Sequence, residues 1–120
     1  MPDGSSQPAR RPRYRLRPTQ RLKGRTVFDL VYETGSKRTS FPLLVKTLRR
    51  ADQGPSRLGI SIGRRCGNAV VRNLIKRRLR EAYRLAQQHI PEGRDYMVIV
   101  RPHKALPMLV YQDKLRQLLR

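Results

Sequence analysis

The sequence predicts a small α+β sandwich, with helices packed against a sheet of about four strands. Three observations predict it. The stretch from Ala69 to His89 runs without glycine or proline and carries apolar residues at helical spacing, which marks one long central helix. Strand-like segments flank it, an alternating one at residues 57–63 and a continuous apolar one, Tyr96–Val100. Shorter amphipathic helical patterns stand at either end, giving the order helix, two or three strands, helix, strand, helix. At 120 residues the chain is too short for two ordinary domains, so these elements share one core.

The first 18 residues hold four prolines and five arginines and almost nothing apolar. Residues 1–19 therefore read as a disordered basic arm and residues 20–120 as the folded domain. Prolines at positions 8, 12 and 18 argue against an amphipathic transit helix there. The spacing predicts a first helix over Arg25–Thr34, with Val27, Leu30 and Val31 as its apolar stripe and Gly35 at its C-terminal cap. Phe28 and Tyr32 are four residues apart and fall on a neighbouring face, where two rings line up beside the core as a platform.

Residues 36–48 read as extended, with Phe41, Leu43 and Val45 on one side and Pro42 at an edge or strand start. After the turn signal Asp52-Gln53-Gly54-Pro55, Leu58, Ile60 and Ile62 alternate with Gly59, Ser61 and Gly63. A strand face of glycine and serine means either tight packing or an open cleft floor. Asn68 is a good N-cap for the long helix. Its predicted apolar stripe is Val71, Leu74, Ile75, Leu79, Ala82, Leu85 and Ala86, and the opposite half carries Arg72, Asn73, Lys76, Arg77, Arg80 and Arg84, opposed only by Glu81. Soluble helices normally mix charge signs, so an unmixed basic face argues for an external anion. Arg78 projects into the apolar stripe beside Leu74, its stem covering the core edge. Pro107 then opens a closing helix with Val110, Tyr111, Leu115, Leu118 and Leu119 as its apolar residues.

Charge sets the class of partner. Lysine and arginine number 28 against 8 acidic residues, a net charge of +20, which draws polyanions over a Debye length or more and makes nucleic acid the first-choice partner. No apolar run reaches the roughly 18 residues of a membrane span, and the N-terminus lacks a signal-peptide core, so the expectation is a soluble, cytoplasmic protein without a membrane partner. A single cysteine, Cys66, makes neither an internal disulfide nor a cysteine-based metal cage. The carboxylates are scattered, with only Asp29 and Glu33 at helical spacing, and His89 and His103 stand alone. Ser61, within Gly59-Ile60-Ser61-Ile62-Gly63, has no triad around it. We therefore expect no catalytic residue and no metal site in this chain.

The segment from Arg57 to Glu81, and above all Gly67-Asn68-Ala69-Val70-Val71-Arg72-Asn73-Leu74-Ile75-Lys76-Arg77, resembles the protein subunit of bacterial ribonuclease P. The likeness extends over roughly residues 20–120 and takes in the Phe28-Asp29-Leu30-Val31-Tyr32 helix, Gly35 and Asp95-Tyr96. The resemblance implies a two-layer α+β sandwich in the order α-β-β-β-α-β-α with a left-handed βαβ crossover. It implies a ribonucleoprotein that removes the 5′ leader from precursor tRNA, with the RNA subunit holding the catalytic Mg2+ and performing hydrolysis, and with no cofactor bound by the protein alone. Arg72, Asn73, Lys76, Arg77 and Arg80 match the family's signature helix, which faces the RNA subunit. Arg84 continues that face, and Arg64, Arg65 and Asn68 supply phosphate contacts in the turn before it. Phe28 and Tyr32 match the aromatics of the leader cleft, whose floor includes Ser61.

Two departures stand out. At position 74, where the family usually has arginine, this chain has Leu74, and Arg78 stands one turn later. The strand position of a third cleft aromatic is held by Val45 and Lys46. A ribosomal protein is the principal alternative from composition alone, and it needs charge but no platform for a single strand. A DNA-binding regulator is weaker, because the long helix is basic along its length with no short recognition helix after a tight turn.

Overall fold

A computed structural model of the chain describes residues 25–52 and 54–120, so the expected basic arm lies outside the described residues. The elements are α1 (Arg25–Thr34), β1 (Ser36–Ser40), β2 (Leu43–Arg49), β3 (Arg57–Ile62), α2 (Ala69–Ala86), β4 (Arg94–Val100) and α3 (Met108–Leu118). This is the expected α-β-β-β-α-β-α order. The sheet order is β1-β2-β4-β3. β1 pairs with β2 and β2 with β4 antiparallel, whereas β3 and β4, joined through α2, pair in parallel.

Strand alternation divides the core between the two faces of the sheet. Leu43, Val45, Leu58, Tyr96, Val98 and Val100 point to the side covered by α2 and α3, where they meet Ile75, Leu79, Tyr83, Tyr111 and Leu115 in the main core. Met97, Ile99 and Leu48 point to the other side, where α1 covers them with Val27, Phe28 and Val31 in a much smaller cluster. Continuous burial on both sides explains why the central β4 reads as an unbroken apolar run.

Several sequence expectations shift by part of a helical turn. On α1 the buried stripe is Val27, Phe28 and Val31, while Leu30 is 51% exposed. At about 100° per residue, the sector facing the sheet is centred between Val27 and Phe28, which places Leu30 and Tyr32 on opposite flanks. On α2 the buried sector is centred nearer Tyr83, which is fully buried and absent from the expected stripe, and Leu85 is exposed. That rotation leaves Arg72, Lys76, Arg80 and Arg84 partly buried, with Asn73 and Arg77 exposed. On α3, Val110 is exposed while Tyr111, Leu115, Leu118 and Leu119 are buried. The extended segment 36–48 is a hairpin, and Phe41 falls in its turn, 63% exposed, before a cis peptide to Pro42. Pro42 takes the strand-start position, one residue before β2.

Gly35 ends α1 for a different reason from the one its position suggests. Its N–H donates to the Val31 carbonyl at 2.9 Å. A Cβ there would lie 2.6 Å from that oxygen and 2.9 Å from the Thr47 carbonyl, so close backbone approach, with no positive φ, requires glycine.

Candidate nucleic-acid interface

The edge strand β3 feeds directly into the basic elements. After Ile62 the chain makes a short 3-10 turn at Arg64–Cys66, then Gly67, then the N-cap Asn68. The Asn68 side chain accepts a hydrogen bond from the Val71 N–H at 3.0 Å, satisfying one of the orphan donors of the first turn. Gly67 has φ of 133°, and a Cβ there would meet the Val71 side chain at 3.0 Å, so only glycine makes this corner easily. Cys66 is buried, with its Sγ donating to the Val100 carbonyl at 3.5 Å, and it anchors the turn to the end of β4. Arg64 and Arg65, the first two residues of the turn, are exposed.

From this corner the cations run up α2. Arg72 donates from Nε to the Gly67 carbonyl at 3.1 Å, which orients its guanidinium along the turn and leaves its remaining donors uncommitted by that bond. Asn73, Lys76, Arg77, Arg80 and Arg84 follow on the same side. The ion pairs Arg50–Asp52 and Arg57–Asp95 lie elsewhere, on the β2–β3 connection and across β3 and β4. Arg78 leaves the basic face altogether, donating from Nη1 to the Leu106 carbonyl at 2.8 Å.

On the opposite face of the sheet, α1 packs on β2 and β4 and leaves β3 largely uncovered. Gly59 and Ser61 of β3 pair in register with Met97 and Ile99 of β4, the residues beneath α1. Gly59 is buried and Ser61 is exposed, so this strand face opens beside the helix at its Ser61 end. Phe28 is partly buried in the same cluster as Ile99, one strand from Ser61. Tyr32 is 53% exposed and lies over β2, with the Lys46 ammonium 4.4 Å from its ring centre. The three expected cleft residues therefore share one face but are spread across three strands. The cleft floor and the basic corner meet at the end of β3, where Ser61 precedes Arg64 by three positions.

Lys46 reads in the sequence only as a departure from an aromatic cleft position, whereas the structure gives it contacts of its own. Its Nζ also donates to the Tyr32 carbonyl at 2.5 Å, in the last turn of α1, where a cation is favoured. The signal for it was available, since Lys46 interrupts a buried strand at a position whose alternation points toward α1.

Other polar groups lie apart from these residues. His103 lies 2.6 Å from the Tyr111 hydroxyl and 2.8 Å from the Arg101 carbonyl. His89 is exposed in the 3-10 turn after α2. Asp95, 4% exposed, accepts two hydrogen bonds of 2.7 Å from Arg57, and this pairing raises the Arg57 guanidinium above its ordinary range. The Tyr83 hydroxyl borders a cavity of about 200 Å³ with Ser56, Gln87 and Pro91, and burial pushes it well above the usual phenol range. Among the described residues no three of His, Cys, Asp and Glu are grouped to hold a metal ion, and no helix is long and apolar enough to cross a membrane.

Comparison with known proteins gives this arrangement a context. The family model described as Ribonuclease P matches residues 16–120. The chain is 39% identical over 93 residues to the ribonuclease P protein component of Symbiobacterium thermophilum, covering 78% of this chain and 80% of that protein. Among solved structures it is similar to the Staphylococcus aureus RNase P protein, with a TM-score of 0.74 at 35% identity over 83% of this chain and 92% of that one. The RNase P protein from Thermotoga maritima matches with a TM-score of 0.74 at 32% identity, over 82% of this chain and 94% of that one.

Proposed function

The chain belongs to the ribonuclease P protein family, and from that premise we propose how its two surfaces divide the work of a ribonucleoprotein that removes the 5′ leader from precursor tRNA. The basic corner and helix, Arg64, Arg65, Asn68, Arg72, Asn73, Lys76, Arg77, Arg80 and Arg84, bind phosphates of the ribonuclease P RNA subunit. The α1 face, with Phe28 and Tyr32 beside the floor at Ser61, takes the single-stranded leader of precursor tRNA. Phosphate contacts fix position and register, while stacking on rings tolerates any base, which suits a leader of variable sequence. The observation that carries this reading is the junction at the end of β3. There an open strand face passes within three residues into an exposed arginine pair, so a strand leaving folded RNA meets the floor without a gap.

The protein contributes binding and positioning, with hydrolysis belonging to the RNA subunit. On this reading the protein holds no metal of its own and the Mg2+ of the holoenzyme is held mainly by RNA, which agrees with the scattered His, Cys, Asp and Glu among the described residues. The working place is the cytoplasm, with neither membrane nor DNA as a partner. The test is to purify the tagged protein from its source cells and sequence the RNA that accompanies it. Ribonuclease P RNA is the expected species, and ribosomal RNA without it would overturn the reading. Binding to that RNA should weaken by orders of magnitude between about 50 and 200 mM salt if several of these cations each displace about one counterion. The protein without RNA should leave precursor tRNA uncut at any Mg2+ concentration.

A further inference from the structure

The C-terminal end of α2 borders a half-open cavity of about 200 Å³. It lies between Tyr83 and Gln87 at the helix end, Ile90 and Pro91 in the connection to β4, and Pro55 and Ser56 ahead of β3. The neighbouring polar groups are paired. The Pro91 carbonyl accepts from the Ser56 hydroxyl at 3.2 Å and from the Tyr96 hydroxyl at 3.0 Å, and Ser56 Oγ accepts from the Arg94 N–H at 3.2 Å. The Tyr83 hydroxyl is different. Its ring is fully buried, edge-on to Tyr96 with 6.2 Å between ring centres. Its oxygen is the one buried side-chain polar atom among the described residues without a hydrogen-bond partner. Burial keeps the group protonated well above the usual phenol range, and Gln87, close by, pulls slightly the other way without completing a bond. The hydroxyl is therefore a standing donor at the cavity wall, and a buried donor without an acceptor is costly.

We propose that this cavity takes the base of one unpaired pyrimidine of the RNA subunit, with the Tyr83 hydroxyl donating to a ring carbonyl and the phosphate resting on the basic face of α2. This rests on the RNA-binding role proposed above for that face and adds a contact with a base. Position argues for RNA as the occupant. At about 100° per residue, Gln87 at the cavity mouth falls between Tyr83 and the flank of Arg80 and Arg84, so a strand following those cations reaches the opening within one helical turn. Size argues for a single ring. An apolar cavity of about 150 Å³ accommodates benzene, so this one, with apolar walls at Pro55, Ile90 and Pro91, fits a pyrimidine and is small for a purine. Charge argues for the base over the phosphate. Glu92 lines the cavity and is exposed, so its carboxylate repels phosphate at the mouth and accepts from an N–H on the base. Both pyrimidines carry such an N–H together with a carbonyl for Tyr83, and single-stranded bases are read on these edges.

The experiment reconstitutes the full chain with ribonuclease P RNA and measures affinity over a salt series for the wild type, Tyr83→Phe, Gln87→Trp and Arg84→Gln. Tyr83→Phe removes one oxygen and keeps the ring, so the free protein should melt at or above the wild-type temperature. Its affinity for the RNA should fall severalfold with an unchanged slope of log affinity against log salt, because a base contact releases no counterion. Gln87→Trp, which blocks the mouth from the surface, should do the same. Arg84→Gln should instead flatten the slope by about 0.7, the single-strand value per phosphate. The bound RNA is also probed with dimethyl sulfate and a carbodiimide, which react at open cytosine and uracil N3. One unpaired pyrimidine should be protected by the wild type and reactive with Tyr83→Phe. If the wild type binds with a steep salt dependence but Tyr83→Phe leaves every pyrimidine as reactive as the wild type does, the base pocket is wrong and the basic face stands. If the wild type does not bind ribonuclease P RNA at all, both fall together.

Discussion

Arg78 on α2 donates a 2.8 Å hydrogen bond from its guanidinium to the carbonyl of Leu106, in the connection that leads into α3. That bond answers a question posed by the exchange of residue types at positions 74 and 78. On the helical wheel Leu74, Arg78 and Leu85 lie on the flank of α2 turned toward α3, away from the sector of Arg72, Lys76 and Arg80. Arg78 is therefore a strut between helices, and the missing arginine at 74 is not replaced from the next turn. Arg78→Met should lower stability by about 1 to 2 kcal/mol, the range for a lost hydrogen bond from a charged donor that is partly exposed, as read by urea unfolding. Its affinity for ribonuclease P RNA should stay at the wild-type value while folded. Weakened RNA binding with unchanged stability would return Arg78 to the interface.

The Arg57–Asp95 pair makes a second, sharper stability claim. Asp95 is 4% exposed and bound by both Arg57 donors at 2.7 Å, while the Arg57 side chain is 24% exposed. Removing the cation leaves a buried carboxylate without its partner, which for fully buried pairs costs about 3 to 5 kcal/mol. Partial exposure of the arginine reduces this, and Arg57→Met should cost about 2 to 3 kcal/mol. Adding Asp95→Leu to it should recover much of the loss, because the uncompensated charge is gone. A double variant less stable than Arg57→Met would show that the hydrogen-bonding shape, and not the stranded charge, sets the cost.

The fold was largely legible because its signals are long. The glycine-free run after Asn68, the alternation at Leu58, Ile60 and Ile62, and the apolar run into Val100 each extend over enough residues to fix an element. What the sequence blurred is rotation. A helix of ten residues, as in α1, offers two near-equal apolar stripes, and which one faces the sheet depends on Met97, Ile99 and Leu48, residues distant in sequence. That is why Leu30 and Phe28 exchanged places, and why Tyr83 was missed while Leu85 was included. The site was legible where chemistry sits in consecutive residues, as from Arg64 to Arg84. It was hidden where two elements assemble it, as with Lys46 against the Tyr32 ring, because that contact is set by how α1 packs on β2 and by nothing local to either residue.

Acid should open the β2–β3 connection in a defined window. Asp52 is held well below its ordinary value of 3.8, at about 2, chiefly by its two hydrogen bonds from Arg50 and then by the Gly54 N–H. A carboxyl depressed in the folded state contributes its stabilisation fully above the unfolded value and loses it as pH falls through the folded one. The turn should therefore stay closed down to about pH 4 and open between there and about pH 2. Because Asp52 is exposed, the change should be local and should weaken with salt. Carboxyl carbon NMR shifts give the midpoint directly, and an Asp52 midpoint close to 3.8 would mean that the pairing with Arg50 does not persist in solution.

Phe28 and Tyr32 are one helical turn apart, yet their burial predicts different costs of truncation. Phe28 packs partly buried against the small cluster of Met97, Ile99 and Leu48. Full burial of a phenylalanine makes its loss worth about 3 to 5 kcal/mol, so Phe28→Ala should cost about half of that and be visible in thermal melting. Tyr32, with its ring held by Lys46 and its outer side in solvent, should cost under about 1 kcal/mol on truncation, close to a surface substitution. Function should reverse the ranking. Stacking of a base on an aromatic ring contributes about 1 to 3 kcal/mol, and the ring with an open side offers the larger contact. Tyr32→Ala should therefore reduce the preference of the holoenzyme for leader-bearing over leaderless tRNA without loosening the fold. Phe28→Ala should reduce it less per unit of stability lost. Wild-type discrimination by a folded Tyr32→Ala variant would remove Tyr32 from the leader path and leave Phe28 as the only ring beside the floor at Ser61.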